Sequence, residues 1–381
     1  MTIQFVNTQA GLETLCQQLA DSDWLAVDTE FHREKTYFPQ LCLIQVANHD
    51  VIACVDPLAI EDLSPLMALF YSDDMTIVFH AARQDLELFF LMQNALPPKV
   101  FDTQLAATVL GYGDQIGYGN LVKQCLGVEL DKGQARTDWR QRPLSEAQVE
   151  YAADDVRYLR QVYLQLLDEL NRTGRVEWLS DDFAALTAIE TYQEDPQQSW
   201  LRVKGAGRLK SQQLVILQEL GAWREKRAIE LDLPRRWILK DDVMLDLARF
   251  TPMTLDAMKK IRGLEARDID RYGNTIIKVI TAAKDIPKEK WPVLKRPSAL
   301  SNQQEALIDA LMALLRKSCD EQSITPSAVA TRKDIESLVR GQDCALLHGW
   351  RYKIIGHTLQ AFMRGKISIQ AHPTHLEIKE S

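Results

Sequence analysis

Apolar residues in the first half of the chain fall into short runs, the pattern that predicts buried strands. Runs at residues 24–27, 41–47, 51–55 and 76–79 are rich in β-branched and other apolar side chains. A turn signal at residues 48–50 separates the second run from the third. We therefore expect these two runs to form an antiparallel hairpin that follows the first strand, with residues 76–79 as a fourth strand.

Helical periodicity alternates with these runs at residues 83–94, around 103–110 and most clearly at 145–170. Ser145 and Gln148 have the spacing of a capping box at the start of the longest helix. Its apolar face consists of Val149, Ala152, Ala153, Val156, Leu159 and Val162. Strands and helices in this order predict an α/β domain, a mixed sheet flanked by helices.

Beyond about residue 205, β-rich runs nearly vanish and amphipathic helices dominate. A shift of 92 residues aligns Ile216 with Ile308 and Pro234 with Pro326, among other apolar and acidic matches. Helices share periodicity by default, so chance is the alternative, although prolines and acids matching in one register argue against it. The second half is thus predicted to hold two copies of a helical module of about 80 residues, with residues 284–297 as a Pro- and Lys-rich linker.

Composition narrows the class of protein. The chain has 381 residues, of which 46% are hydrophobic and 26% charged, so wholesale disorder is excluded. No apolar run approaches 18 residues, and the N-terminus lacks a secretory pattern, so we expect no membrane association. Six scattered cysteines without a Cys-x-x-Cys pair favour free thiols in the cytoplasm over a disulfide framework or a thiolate zinc site.

The net charge of −8 conceals an asymmetry. Residues 1–200 hold 13 basic and 31 acidic residues, whereas residues 201–381 hold 32 basic and 22 acidic residues. An acidic half can gather carboxylates around cations, and a basic half can bind a polyanion. Chance distribution of surface charge is the alternative.

Candidate chemistry lies in the acidic half. Asp28 and Glu30 end the first strand, and alternation places both side chains on one face, roughly 7 Å apart. Asp85 follows the fourth strand, and Tyr151 and Asp155 lie one helical turn apart on the long helix. Taken singly, each acid is better explained by solvation or by a helix dipole than by a metal site.

Taken together, four carboxylates in one place repel one another unless cations neutralise them. All-oxygen donors suit Mg²⁺ or Mn²⁺, and two such ions promote phosphodiester hydrolysis. The sequence therefore predicts a divalent-metal site that acts on a phosphodiester.

Three motifs carry a family resemblance, at residues 27–31, 79–87 and 151–155. They resemble the exonuclease motifs of the DEDD superfamily, in the subgroup with a tyrosine. Residues 41–46 and 101–106 are similar to the ribonuclease D family in particular, and the two helical modules resemble HRDC domains. The second module lacks the tryptophan of the first and is more divergent.

The resemblance implies a ribonuclease-H-like mixed-sheet exonuclease domain followed by two all-α HRDC-type domains. The expected limits are residues 1–200 for the exonuclease domain, 208–289 for the first HRDC domain and 296–376 for the second.

The resemblance also implies roles. The expected metal ligands are Asp28, Glu30, Asp85 and Asp155, which hold two Mg²⁺ or Mn²⁺ ions. Tyr151 is expected to orient the attacking water, with deprotonation of that water as the alternative, although a phenol with a pKa near 10 is a poor base. Asp154 competes for the role of Asp155, and the family spacing from the tyrosine favours Asp155. The expected substrate contacts are Thr29, Phe31 and His80, where Phe31 offers a stacking face.

Three other features have plainer interpretations. Asp102 is best explained as a helix N-cap. The glycine-rich segment at residues 111–119 follows a helix rather than a strand, which favours an inter-helix loop over a dinucleotide site. Arg136, Arg140 and Arg142 precede the third motif and are candidates for phosphate contacts, with solvation as the default.

The function implied is a 3′→5′ exoribonuclease that releases 5′-mononucleotides from tRNA precursors and other small structured RNAs, as a cytoplasmic monomer. A DNA exonuclease and a non-catalytic RNA-binding scaffold are the alternatives. Matched RNA and DNA strands separate the first alternative, and an Asp155→Asn variant separates the second.

Overall fold

The computed structural model describes residues 2–131, 133, 134, 137–294 and 298–380. The strands are β1 Ile3–Val6, β2 Trp24–His32, β3 Gln40–Ala47, β4 Ile52–Val55, β5 Thr76–Phe79, β6 Val100–Asp102, β7 Ile367–Ala371 and β8 Leu376–Glu380. The helices are α1 Gln9–Leu19, α2 Ser64–Phe70, α3 Arg83–Gln93, α4 Thr103–Leu110, α5 Tyr118–Leu126, α6 Glu146–Thr173, α7 Ser180–Leu186, α8 Ser211–Leu231, α9 Arg235–Ile238, α10 Asp241–Phe250, α11 Leu255–Met258, α12 Ala266–Lys284, α13 Asn302–Glu321, α14 Pro326–Val329, α15 Arg332–Val339, α16 Gly349–Arg351 and α17 His357–Met363.

Within the described residues, the first six strands form one mixed sheet in the order β1-β4-β3-β2-β5-β6. The predicted hairpin is confirmed, because β3 and β4 pair antiparallel. Asn48 closes its turn by accepting hydrogen bonds from the backbone N–H groups of Asp50 and Val51 at 2.9 and 2.7 Å. The parallel pairs β2–β5 and β5–β6 bring the carboxyl ends of three strands to one edge of the sheet.

The long helix α6 begins with the predicted capping box between Ser145 and Gln148. Its predicted face is buried at Ala152, Ala153, Val156, Leu159 and Val162. These residues share one core with Trp24 of β2 and Val78 of β5. The core therefore fixes α6 against the strands that carry the first and second acidic motifs.

The chain divides into two compact units. The first comprises residues 1–31, 41–191 and 299–381, so the C-terminal helices pack with the sheet domain. The rings of Trp178 and Trp350 stack at 5.3 Å, and Arg351 pairs with Asp182 at 3.2 Å. These contacts hold α16 against the segment that follows α6.

The second unit comprises residues 32–40 and 192–298. Helices α8, α10 and α12 surround its core. The carboxylate of Glu225 is fully buried there, accepts hydrogen bonds from Arg235 at 2.7 and 2.8 Å, and accepts another from the phenol of Tyr37. A buried charge is thus paired within this unit.

Three expectations about secondary structure were wrong. Residues 76–79 form the fifth strand, not the fourth, because β1 precedes the predicted ones, and β6 was also missed. The C-terminal residues form a hairpin of β7 and β8, although strands were expected to be nearly absent there.

In the described part of the chain, no helix combines the length and the apolar character that a bilayer crossing requires.

Candidate active site

The first two acidic side chains of the site lie on β2, near the centre of the sheet. Ala26 is the last β2 residue paired with β5, so Asp28 and Glu30 extend beyond this pairing. Both are half-buried and share a face by strand alternation. Thr29, between them, is buried and donates a hydrogen bond from its hydroxyl to Asp85 at 2.6 Å. The first motif therefore contacts the second directly.

Asp85 is buried in the first turn of α3, and Asp102 organises that turn. The carboxylate of Asp102 accepts hydrogen bonds from the backbone N–H groups of Ala81, Ala82 and Gln104, at 3.0, 2.9 and 2.8 Å. Ala81 has a φ of 60°, which the first of these bonds supports. The predicted N-cap role of Asp102 for α4 is confirmed, and the same carboxylate also fixes the approach to Asp85.

Helix α6 carries the third motif, and its two adjacent acids, Asp154 and Asp155, have different interactions. Asp154 pairs with Arg157, which also contacts Glu150 at 2.7 Å. The charge of Asp155 instead raises the pKa values of Asp28, Glu30 and Tyr151, and Tyr151 lies one turn earlier on the same helix. The ion pair of Asp154 and the electrostatic influence of Asp155 favour Asp155 over Asp154 as the member of the cluster.

Electrostatics shows that the four carboxylates form one cluster. Burial, followed by the negative charges of Asp155, Asp85 and Glu30, holds the pKa of Asp28 well above its usual range. Burial and the charges of Asp155 and Asp85 raise the pKa of Glu30 to about 8. Burial raises the pKa of Asp85 to about 7, although the hydroxyl of Thr29 opposes the shift. Burial, with a contribution from Asp154, raises the pKa of Asp155 to about 7.

Two tyrosines face this cluster. Burial and the charges of Asp155, Glu30 and Asp28 raise the pKa of Tyr151 to about 12. Burial and the charges of Asp155 and Asp28 place the pKa of Tyr118 well above its usual range. Both phenols therefore keep their protons at neutral pH and act as hydrogen-bond donors.

The cluster has the donor set of a divalent-metal site. Among the described residues, no Lys or Arg lies within ion-pair distance of Asp28, Glu30, Asp85 or Asp155. As placed, no three His, Cys, Asp or Glu side chains in those residues are arranged to hold a metal ion. Four buried or half-buried carboxylates with raised pKa values nevertheless fit hard cations, which would compensate their charge.

The expected substrate contacts lie in different surroundings. Thr29 is engaged by Asp85, and Phe31 is half-buried near the end of β2. Both ring nitrogens of His80 are occupied, since Nε2 lies 3.0 Å from the carbonyl oxygen of Ile116 and Nδ1 lies 3.0 Å from the hydroxyl of Thr103. A carbonyl only accepts, so Nε2 carries the proton, and burial lowers the pKa of His80.

The arginines before α6 have partners within the protein. Arg142 forms a bidentate pair with Asp56 at 2.6 and 2.7 Å and donates to the carbonyl oxygen of Cys42 at 2.7 Å. Arg140 forms a bidentate pair with Asp138, with both contacts at 2.8 Å. Arg136 lies outside the described residues. Arg142 is therefore a structural residue rather than a free phosphate contact.

Sequence reasoning missed one residue at the site. The hydroxyl of Tyr118 lies 2.6 Å from the carbonyl oxygen of Asp155 and 3.0 Å from that of Asp154. The signal was present in the glycine-rich segment 111–119, which was interpreted only as a loop.

Comparison with protein families gives two matches. A family described as 3′–5′ exonuclease matches residues 3–171, and the HRDC domain family matches residues 213–280.

Relatives match nearly the whole chain. Ribonuclease D of Bartonella henselae is 36% identical over 371 residues, which cover 96% of this chain and 91% of the relative. Ribonuclease D of Sphingobium indicum is 40% identical over 364 residues, which cover 94% of this chain and 93% of the relative.

The crystal structure of Escherichia coli RNase D is similar in fold and in extent. Its TM-score is 0.84 at 30% sequence identity, covering 96% of this chain and 99% of that chain. The similarity confirms the expected mixed-sheet exonuclease domain followed by a helical region. The chain belongs to the ribonuclease D family of 3′→5′ exoribonucleases.

Proposed function

We propose that the chain hydrolyses the 3′-terminal phosphodiester of RNA and releases 5′-mononucleotides, with two Mg²⁺ or Mn²⁺ ions held by Asp28, Glu30, Asp85 and Asp155. One observation carries the proposal: all four carboxylates have raised pKa values, and no Lys or Arg of the described residues lies within ion-pair distance of them. When bound, the ions would acidify an attacking water and stabilise the charge that develops on the phosphate.

The protein's own side chains orient the reactants. With a pKa of about 12, Tyr151 remains a phenol at neutral pH, so it orients the attacking water rather than deprotonating it. Thr29 holds Asp85 in place through the 2.6 Å hydrogen bond. Phe31 presents an aromatic face near the end of β2, where stacking on a terminal base requires no particular sequence.

The first helical module offers a surface for the body of the RNA. Trp237 is 57% exposed and lies in a groove of about 480 Å³. Four basic side chains and two acidic ones line this groove, namely Arg236, Lys240, Arg267 and Arg271 against Glu265 and Asp268. Arg267 pairs with both acids, at 3.1 and 3.7 Å, so a positive surplus remains. An exposed indole among surplus cations suits a base and its phosphates.

The second module differs, because its single tryptophan is buried. The indole of Trp350 is buried and stacks on Trp178 within the first compact unit. We therefore assign the main RNA contact to the first module. The proposed domain limits remain 1–200, 208–289 and 296–376.

The substrate class follows from a relative. Escherichia coli RNase D is described as an exoribonuclease involved in structured RNA processing. We propose that this chain likewise trims the 3′ ends of tRNA precursors and other small structured RNAs, as a monomer in the cytoplasm. The six cysteines support this location, since all of them are free thiols.

The test is a time course on a 5′-labelled tRNA precursor with a 3′ extension, incubated with Mg²⁺ or with EDTA. We expect a ladder that shortens by single nucleotides from the 3′ end, 5′-mononucleotides as the product, and no reaction in EDTA. A DNA strand of the same sequence should be degraded more slowly. Internal cleavage, full activity in EDTA or a preference for DNA would contradict the proposal.

The groove is tested by binding of the same RNA to the full chain in EDTA, which prevents hydrolysis. Trp237→Ala should weaken binding about tenfold, since stacking contributes about 1–3 kcal/mol per base. Phe250→Ala is the matched control, because Phe250 is 62% exposed in the same module and also lies beside an arginine, Arg249. Equal losses in the two variants would exclude a specific role for the groove.

A further inference from the structure

We infer that Tyr118 is a positioning residue that fixes the backbone of α6 at Asp155, and that the glycine-rich segment 111–117 serves to place it. The inference rests on the proposed function, since it takes Asp155 as a metal ligand. It gives a role to a segment that the proposed chemistry does not use.

The contact is between a phenol and the helix backbone. The hydroxyl of Tyr118 lies 2.6 Å from the carbonyl oxygen of Asp155 and 3.0 Å from that of Asp154, so one proton is shared between neighbouring carbonyls. A carbonyl oxygen has two lone pairs and accepts this bond in addition to the helical one. Because Tyr118 binds the backbone of Asp155, both carboxylate oxygens of that residue stay available for a cation.

The segment before Tyr118 is held on several sides. The carbonyl oxygen of Ile116 accepts hydrogen bonds from Nε2 of His80 at 3.0 Å and from the side-chain amide of Gln104 at 3.1 Å. The hydroxyl of Thr108 donates to the carbonyl oxygen of Gly113 at 3.3 Å. The ring of His80 also contacts the ring of Tyr118, with centroids 5.5 Å apart.

Glycine is required at two points of this segment. Gly111 has a φ of 89° and Gly113 a φ of 132°, conformations that side chains rarely adopt. At Gly111, an added Cβ would also lie 2.1 Å from the carbonyl oxygen of Ser323. The segment therefore reverses tightly after α4 and presents Tyr118 as the first residue of α5.

This arrangement also gives His80 a role other than the expected substrate contact. With Nε2 bonded to Ile116 and the ring packed on Tyr118, His80 supports the positioning residue from the side of β5. Partners that orient metal ligands typically change metal affinity 10- to 100-fold when removed, and a shift of about 1 Å in a reacting group can lower the rate about 100-fold.

Tyr118→Phe tests the inference because it removes only the hydroxyl. We expect kcat to fall about tenfold and the Mn²⁺ concentration for half-maximal activity to rise about tenfold, with KM for RNA within about twofold of the parent. Mn²⁺ binding without RNA, followed by electron paramagnetic resonance, should weaken by the same factor. Gln104→Met removes one support of Ile116 and should give a smaller change in the same direction.

Tyr112→Phe is the matched control. The hydroxyl of Tyr112 donates to Glu169 at 2.8 Å, on the same helix but about four turns beyond Asp155. The variant loses the same atom from the same segment, and its metal dependence and kcat should stay within about twofold of the parent.

The outcomes separate the inference from the proposed function. If Asp155→Asn is inactive while Tyr118→Phe has the Mn²⁺ affinity and kcat of the parent, the inference is wrong and the proposed function stands. The inference is equally wrong if Tyr118→Phe and Tyr112→Phe lower kcat alike with no change in Mn²⁺ affinity. If the parent itself binds no Mn²⁺, the proposed function fails first.

Discussion

Two buried carboxylates of this protein are paired with arginines, whereas the acidic cluster of the site has no such partner among the described residues. Asp56 is 2% exposed and forms a bidentate pair with Arg142, and fully buried Glu225 binds Arg235 and Tyr37. Asp85, at 6% exposure, receives one hydroxyl and lies in a cluster with no Lys or Arg within ion-pair distance in the described residues.

The comparison identifies the carboxylates to which the described residues supply no compensating cation. Burying a carboxylate without a cation or enough hydrogen bonds is unfavourable, and the described residues supply an arginine to Asp56 and to Glu225 but none to the cluster. The missing positive charge is what we propose divalent ions supply.

The largest effect is expected at the unpaired cluster. Asp155→Asn should lower the rate of RNA hydrolysis by about 1,000-fold or more, because it removes a charge that holds the ions. The same variant should not be less stable than the parent in EDTA, since it relieves repulsion. Hydrolysis of labelled RNA and thermal unfolding measure the two results.

Asp154→Asn is its neighbouring control. Asp154 pairs with Arg157 and lies outside the cluster, so activity should stay within about threefold of the parent. If Asp154→Asn loses more activity than Asp155→Asn, Asp154 rather than Asp155 would be the metal ligand, which would contradict the account.

For Asp56, which is paired with Arg142, we expect the opposite: a loss of stability with activity retained. Asp56→Asn leaves the guanidinium of Arg142 without its carboxylate and should destabilise the fold by about 3 kcal/mol. Activity per folded molecule should remain within about twofold. Urea unfolding and hydrolysis at a temperature where the variant is folded give the two values. A stable but inactive Asp56→Asn would mean that this pair belongs to the chemistry.

Tyr151→Phe sharpens the account of the cluster. Loss of the hydroxyl should lower kcat about 30-fold with little change in KM, because orientation of the water is lost while RNA binding is kept. Because the pKa of Tyr151 is raised to about 12, the residual rate and the parent rate should share one pH profile between about pH 7 and 9. If the rate of the parent rises steeply with pH in this range while the rate of Tyr151→Phe stays constant, Tyr151 would be acting as a base, contrary to the account.

The smallest effect is a pH dependence of stability without metal. Glu30, Asp85 and Asp155 have pKa values of about 8, 7 and 7 in the folded state, above the value of roughly 4 in the unfolded chain. At pH values between the unfolded-state and folded-state pKa values, the folded state binds more protons than the unfolded state. The free energy of unfolding therefore falls as pH rises from about 5 to 8.

In EDTA, the melting temperature of the parent should therefore drop more over this range than that of Asp155→Asn, by a few degrees. Mn²⁺ at pH 8 should restore it. If the melting temperatures of the parent and of Asp155→Asn fall in parallel with pH, the charge of Asp155 does not destabilise the folded state, which would contradict the account of the cluster.

Much of the site was predictable because its spacing is local. Strand alternation placed Asp28 and Glu30 together, and one helical turn placed Tyr151 with Asp155. The capping box and the β3–β4 hairpin were predictable for the same reason.

What was missed depends on distant partners. Strands β1 and β6 are short, and each exists through parallel pairing with β4 or β5 rather than through its own pattern. Tyr118 binds carbonyl groups of a different helix, and Trp350 packs on Trp178, contacts that no local period encodes. The internal repeat predicted two similar modules but not that residues 299–381 pack with the exonuclease domain in one compact unit.

The most direct measurement of the central claim is anomalous diffraction at the manganese edge, from crystals of the full chain soaked with Mn²⁺ and a short RNA with an uncleavable 3′ linkage. We expect two manganese peaks among the carboxylates of Asp28, Glu30, Asp85 and Asp155, with the last phosphodiester beside them. Absence of manganese among these side chains, while the RNA 3′ end lies in the same place, would contradict the claim.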